Sequence, residues 1–270
     1  PERRSGGADT RMDRGDRTMA MSPRPKVLIV AGSDSSGGAG IARDVATVAR
    51  FGVEASVAIT AVTAQTHVAV IAVEPVPAHL VAAQMRAALA ADRVAAIKIG
   101  MVATAETVTA ISEVLADNAG IPVIVDPVLA SSSGTRLLSD PGFESLRQRL
   151  LPVSSLVTPN LPELGILTGR EMARSDAEIA CQAAQVLDMG CPAVLVKGGH
   201  MDGTQSVDTL YATGAPPQHF ASPRRQVALR GTGCMLSSAI AAHLALGDDM
   251  HAALTAAKAF MDERFDAGGG

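Results

Sequence analysis

Residues 26–51 read KVLIVAGSDSSGGAGIARDVATVARF. A short β-branched run, 26–31, passes through a Gly/Ser turn into an Ala/Val-rich stretch of helical spacing, which predicts strand, tight turn and helix in succession. Such a loop brings backbone N–H groups toward a ligand at a helix N-terminus. An ordinary βα turn has the same composition, and the stretch is neither a P-loop, since no Gly-Lys-Ser/Thr follows, nor G-x-G-x-x-G in register. Asp34 and Asp44 add carboxylates, and Asp34 equally suits a loop cap.

The alternation continues along the chain. Further strands are expected at 53–60, 95–100, 123–126, 156–158 and 193–197, with a late antiparallel pair near 206–211 and 219–221. Helices are expected at 39–51, 78–91, 105–118, 141–151, 177–189, 233–246 and 250–265. Short strands separated by amphipathic helices predict an α/β fold, a largely parallel sheet covered on both faces. Residues 1–25 combine Gly, Pro and mixed charge with almost no aliphatic side chains, so they are expected to form a flexible arm. Residues 266–270 are expected to be a disordered tail. No repeat and no internal linker divides what lies between, which predicts one domain over 26–265.

Composition narrows the function. The 270 residues carry 47% apolar and 19% charged side chains and a net charge of −4, with no Trp, one Tyr and five Phe. Duplex binding by phosphate neutralisation and base stacking on aromatic platforms are both disfavoured, so no nucleic-acid partner is expected. No run of 18 apolar residues and no signal-peptide core is present, so no membrane partner is expected either. Three cysteines, Cys181, Cys191 and Cys234, make no C-x-x-C pair, which fits a reducing cytoplasm.

Four further places carry candidate chemistry. Arg230-Gly231-Thr232-Gly233-Cys234 directly precedes a helix. Its glycines let successive amides turn inward, and with the helix dipole they form an anion hole suited to a phosphoryl group. A structural turn is the competing reading. Cys234 has a lowered pKa if it faces that anion site and is inert if it is buried. Asp126 ends one strand, and Thr158-Pro159-Asn160-Leu161-Pro162-Glu163 follows the next. Carboxylates beyond strand ends lie where ligands of open α/β sheets bind and could hold Mg²⁺ through water; alone, each also suits a helix cap. Lys197 before Gly198-Gly199-His200 could meet phosphates or be a solvated lysine, and His200 reads as a turn residue. Gln65, closing the second strand, could offer a donor and an acceptor to a heterocycle edge.

Taken in order, VLIVAGSDSSGGAGIARDVATVARFGV, AITAVTAQ, KIGM, VIVDPV with SSSGTRLL, VTPNLPEL, VLVKGGH and GTGCMLSSAIAAHLALG resemble the ribokinase-like superfamily. Within it they resemble the hydroxymethylpyrimidine/phosphomethylpyrimidine kinases, over roughly residues 26–260. The resemblance implies a three-layer α/β/α fold and transfer of the ATP γ-phosphate to a pyrimidine CH₂OH, then to the resulting monophosphate. It implies that Gln65 binds the aminopyrimidine edge, helped by Gly32, Asp44, Thr63 and Met101. It implies further that Asp126, Asn160 and Glu163 position Mg²⁺ and the triphosphate, and that Lys197 and Lys258 face the nucleotide. Gly231, Thr232 and Gly233 would form the anion hole. Cys234 would stand where sugar-kinase relatives carry an aspartate base. A homodimer is implied by the family alone. Pyridoxal kinases share the fold and the anion hole, and a non-catalytic vitamin-binding protein could keep the pocket. The sequence departs from the family in three places: Arg230 replaces the His that often precedes Gly-Thr-Gly-Cys, Thr66-His67 follows Gln65 in place of Asn-Thr, and a family tail rich in glycine is expected to be cut short or replaced before Gly270.

Overall fold

The computed structural model describes residues 24–129, 137–198, 203–225 and 229–268. The SSSGTR run at 131–136 and His200 lie outside them. The expected first unit forms as β1 (Lys26–Asp34) and α1 (Gly40–Arg50). It is followed by β2 (Glu54–Gln65), β3 (Val70–Pro75), α2 (Ala78–Ala91), β4 (Val94–Ile99), α3 (Ala105–Ala116) and β5 (Val123–Val125). Then come α4 (Asp140–Ser145), β6 (Leu156–Val157), α5 (Leu161–Thr168), α6 (Asp176–Asp188) and β7 (Ala193–Val196). The chain closes with β8 (Gln205–Ala212), β9 (Gln218–Pro223), α7 (Thr232–Leu246) and α8 (Met250–Asp266).

One sheet runs in the order β3-β2-β1-β4-β5-β6-β7-β8-β9. The six central strands are parallel, while β3, β8 and β9 pair antiparallel at the two flanks. Successive side chains of β1 divide between the two faces, as a doubly covered strand requires. Leu28 and Val30 join the core under α2, α3, α5 and α6. Val27, Ile29 and Ala31 join the core under α1, α7 and α8. The helix α7 is buried almost throughout because it is apolar on every side and lies between the sheet and its helical neighbours.

Two elements were not expected. The strand β3 is an edge strand whose antiparallel pairing comes from the turn after Gln65, and Pro75 is tolerated at its end because an edge leaves one side unpaired. The helix α5 starts inside a Pro-bearing stretch that reads as loop, but Pro162 falls in its first turn, where a missing N–H costs nothing. The helix expected at 141–151 is shorter: α4 ends at Ser145 and the chain continues as a π turn, Leu146–Leu150, and a 3₁₀ turn, Leu151–Val153.

Candidate active site

The carboxyl ends of the parallel strands open on a cleft of about 640 Å³, within the size range of small-molecule sites. Its first end is built by β1 and β2. The β1–β2 register shifts between Ala31 and Ser33, and a Cβ on the intervening Gly32 would stand 3.1 Å from Met101 Sδ. The bare backbone of Gly32 and the Met101 thioether therefore share one wall. Thr63 also lines the cleft, but its hydroxyl donates to the Ser33 carbonyl at 2.8 Å. Gln65 is held by its backbone: its N–H donates to Ser35 Oγ at 2.8 Å and its carbonyl accepts from the same hydroxyl at 3.0 Å. Its side-chain amide makes no hydrogen bond among the described residues and is available to a ligand.

The expectation for Asp44 is corrected. This residue does not line the cleft; it is fully buried on α1, with Lys98 Nζ at 2.8 Å from Oδ2 and Ser238 Oγ donating to Oδ1 at 2.9 Å. Both carboxylate oxygens are taken up by the protein. Lys98, equally buried on β4, is a residue that sequence reasoning missed. The signal was present, because a lysine inside the apolar run AAIKI can only be buried with a partner.

The second end gathers around the N-terminus of α7. Gly231 is its N-cap in the left-handed region, φ 70°, and a Cβ there would come 2.5 Å from the Gly38 carbonyl. Two glycine-bearing loops thus meet backbone to backbone. A Cβ on Gly233 would stand 3.1 Å from Asp126 Oδ2 and 3.2 Å from Lys197 Nζ. The glycine keeps the first turn of α7 open toward that charged pair. Lys197 Nζ donates to Asp126 Oδ1 at 3.0 Å and lies 3.6 Å from Glu163 Oε2. Burial opposes the charge on Lys197, but Asp126 and Glu163 outweigh it and hold its pKa above the ordinary lysine value. Burial also raises the Glu163 carboxyl, against the lowering influence of Lys197.

Asn160 and Glu163 do serve as helix caps. Asn160 Oδ1 accepts from the Glu163 amide and Glu163 Oε2 accepts from the Asn160 amide, each at 2.8 Å, which is a capping box on α5. Capping and facing the cleft coexist, since both residues line it. Lys258 reaches the same cleft from α8, fixed at 2.7 Å by Asp208 Oδ2, while Asp208 Oδ1 accepts from the Gly198 amide at 2.9 Å. Asp208 was not singled out from the sequence; it occupies an inward position of β8 where alternation calls for an apolar side chain.

Cys234 lies in the first turn of α7 on the cleft wall. Burial pushes its thiol up to about 12, with Asp44 and Asp126 adding to the rise and Lys98 opposing it. The lowered pKa expected for a thiol facing an anion site is therefore not found: desolvation and two carboxylates outweigh the Lys98 ammonium and the hydrogen bond to the Gly40 backbone. Burial works against the charge on Lys98, but the negative surroundings, Asp44 foremost and Asp126 with it, hold its pKa above the ordinary lysine value.

Among the described residues no group of three or more His, Cys, Asp or Glu could hold a metal. Asp126 and Glu163 are hard oxygen donors on one face of the cleft, a set that fits a Mg²⁺ keeping most of its waters and taking substrate phosphates.

The glycine-bearing N-terminus of α7, a lysine set between two carboxylates and the Gln65 side chain line one cleft, an arrangement suited to a small-molecule phosphotransferase. The solved structures that share the fold are ribokinase-like kinases. A family model described as Phosphomethylpyrimidine kinase matches residues 34–268, and the chain belongs to that family. A hydroxymethylpyrimidine/phosphomethylpyrimidine kinase of Rhizobium meliloti (strain 1021) is 44% identical over 235 residues, covering 87% of this chain and 88% of that protein. The crystal structure of phosphomethylpyrimidine kinase from Clostridium difficile 630 matches with a TM-score of 0.79 and 35% identity, over 90% of this chain and 100% of that one. The pyridoxal kinase from Staphylococcus aureus in complex with AMP-PCP and pyridoxal matches with a TM-score of 0.80 and 31% identity, over 90% and 88%. No helix among the described residues is long and apolar enough to cross a membrane.

Proposed function

We propose that this chain transfers the γ-phosphoryl group of ATP to 4-amino-5-hydroxymethyl-2-methylpyrimidine, and then to the monophosphate so formed, within thiamine biosynthesis. The observation that carries the reading is the unspent Gln65 amide in the same cleft as the Gly231–Gly233 turn. An aminopyrimidine edge presents a ring acceptor beside an exocyclic donor, and one primary amide can satisfy both in a plane. Gly32, Thr63 and Met101 wall the ring, while Asp44 acts from beneath by fixing Lys98. The amides of Gly231, Thr232 and Gly233 receive the phosphoryl oxygens at the positive end of α7. Lys197, Lys258 and Asn160 orient the nucleotide. Asp126 and Glu163 hold Mg²⁺, which when bound offsets charge on the triphosphate.

Phosphoryl transfer through a loose transition state asks the protein mainly for position and charge stabilisation. The acceptor oxygen bonds to the γ-phosphorus as the bond to the β–γ bridging oxygen breaks. The acceptor proton departs late, to an oxygen of the transferred phosphoryl group and from there to water, so a resting thiolate is not required. Cys234, protonated at Sγ, orients the acceptor hydroxyl. The three free cysteines fit a reducing cytoplasmic setting.

The test is ADP release with hydroxymethylpyrimidine, its monophosphate and pyridoxal as acceptors. Turnover of both pyrimidines, with kcat/KM well above that for pyridoxal, is expected. A preference for pyridoxal overturns the acceptor and leaves the phosphotransferase; no ADP release with any of the three overturns catalysis and leaves a binding protein.

A further inference from the structure

One carboxylate oxygen on the cleft wall has no hydrogen bond. Asp34, at the end of β1, is 6% exposed. Its Oδ1 accepts from the Ser36 amide and the Ser36 hydroxyl, both at 2.7 Å. Its Oδ2 is buried and accepts no hydrogen bond among the described residues. The charge facing it is Arg230, whose Nη2 stands 3.8 Å away, too far for a hydrogen bond. Nη1 of the same guanidinium is engaged with Ser36 Oγ at 3.1 Å, the Thr66 carbonyl at 3.3 Å and His67 Nδ1 at 3.1 Å. Nη2 donates to none of them. An ion-paired donor and acceptor that share no hydrogen bond therefore stand side by side on the wall of the cleft, next to Gly231.

We propose that Arg230 is the specificity residue that lets this site take a phosphate monoester as acceptor, its guanidinium edge pairing with the ester's phosphate and offsetting the charge of the Asp34 carboxylate beside it. The inference rests on the pyrimidine-kinase reading and deepens it by assigning a residue to the second, anionic acceptor. A planar guanidinium matches two phosphate oxygens at once and stays charged at every working pH. A bare Asp34 carboxylate in the same wall would repel the ester and leave the neutral alcohol nearly unaffected. Removing Arg230 therefore changes the ratio of the two affinities, whereas a purely structural tie between loops would weaken both alike.

The test is calorimetric binding of hydroxymethylpyrimidine and of its monophosphate, without nucleotide, so that it does not depend on turnover. In Arg230→Ala the Kd for the monophosphate should rise by at least about 30-fold and that for the alcohol by less than about fivefold. Adding Asp34→Asn to that variant should restore at least about fivefold of monophosphate binding. If Arg230→Ala does not fold, Asp34→Asn alone decides, and should tighten the monophosphate without tightening the alcohol. A monophosphate-to-alcohol ratio unchanged within about threefold, or an unaltered protein that binds no monophosphate, overturns the proposal. Absence of turnover counts against the kinase reading and is scored separately.

Discussion

Cys234 and Lys98 show how far a side chain's chemistry depends on what lies beneath it. The folded protein holds the Cys234 proton more tightly than an ordinary thiol of pKa 9.0, up to about 12. That preference stabilises the fold below about pH 9 and is lost as pH rises toward 12. Native protein treated with iodoacetamide at pH 8 should be labelled first at exposed Cys181 and ~10²–10³-fold more slowly at Cys234, since the thiolate is the nucleophile. The Cys234 rate should climb about tenfold per pH unit to beyond pH 10. A plateau near pH 8 would show a thiolate at the cradle. The sequence identifies Cys234 by its place after two glycines, but its protonation is set by burial and by Lys98, Asp44 and Asp126, which come from distant parts of the chain. Lys98 itself is read as an interruption of apolar sequence, because its partner is 54 positions away and periodicity reports only neighbours.

At the scale of the element, the first turn of α7 makes the sharpest claim. Gly233 has ordinary helical neighbours, so what it contributes is the absence of a Cβ between Asp126 and Lys197. Gly233→Ala gains up to about 1 kcal/mol of helix preference while crowding that pair. Thermal unfolding should shift by no more than a few degrees, and kcat should fall by ~10²-fold or more, the size of losing one anion-hole donor. Equal activity in a folded variant would remove the turn from the reaction. The glycine pattern is legible in the sequence because glycine takes the φ of 70° at Gly231 without strain, and a Cβ there would strike the Gly38 carbonyl. Helix α5 was legible too, in Asn160-x-x-Glu163 ahead of an apolar run, since a helix cap is one reading of these residues. The strand β3 had a weaker signal, since an edge strand with mixed exposure lacks the buried alternation that marks the central strands.

For the molecule as a whole, the cleft is assembled from residues far apart in the chain, and Asp208 is a joint between three parts. It links the end of β7, through the Gly198 amide, to α8, through Lys258. Asp208→Asn keeps one acceptor but loses the charge that fixes Lys258, so KM for ATP should rise by about tenfold with kcat less affected; an unchanged KM would make the contact purely structural. Strand and helix alternation specifies the α/β class, yet it cannot give the spatial order of strands, and Asp208 becomes interpretable only once β8 lies beside β7. The same arrangement bears on how the protein is made. The face of β1 that carries Val27, Ile29 and Ala31 is covered first by α1 and then by α7, which follows β1 by about 200 residues. At ~5–20 residues per second, the part of that face left open by α1 waits on the order of ten seconds or more for α7. During synthesis the first strand of the sheet is therefore a natural client for chaperones.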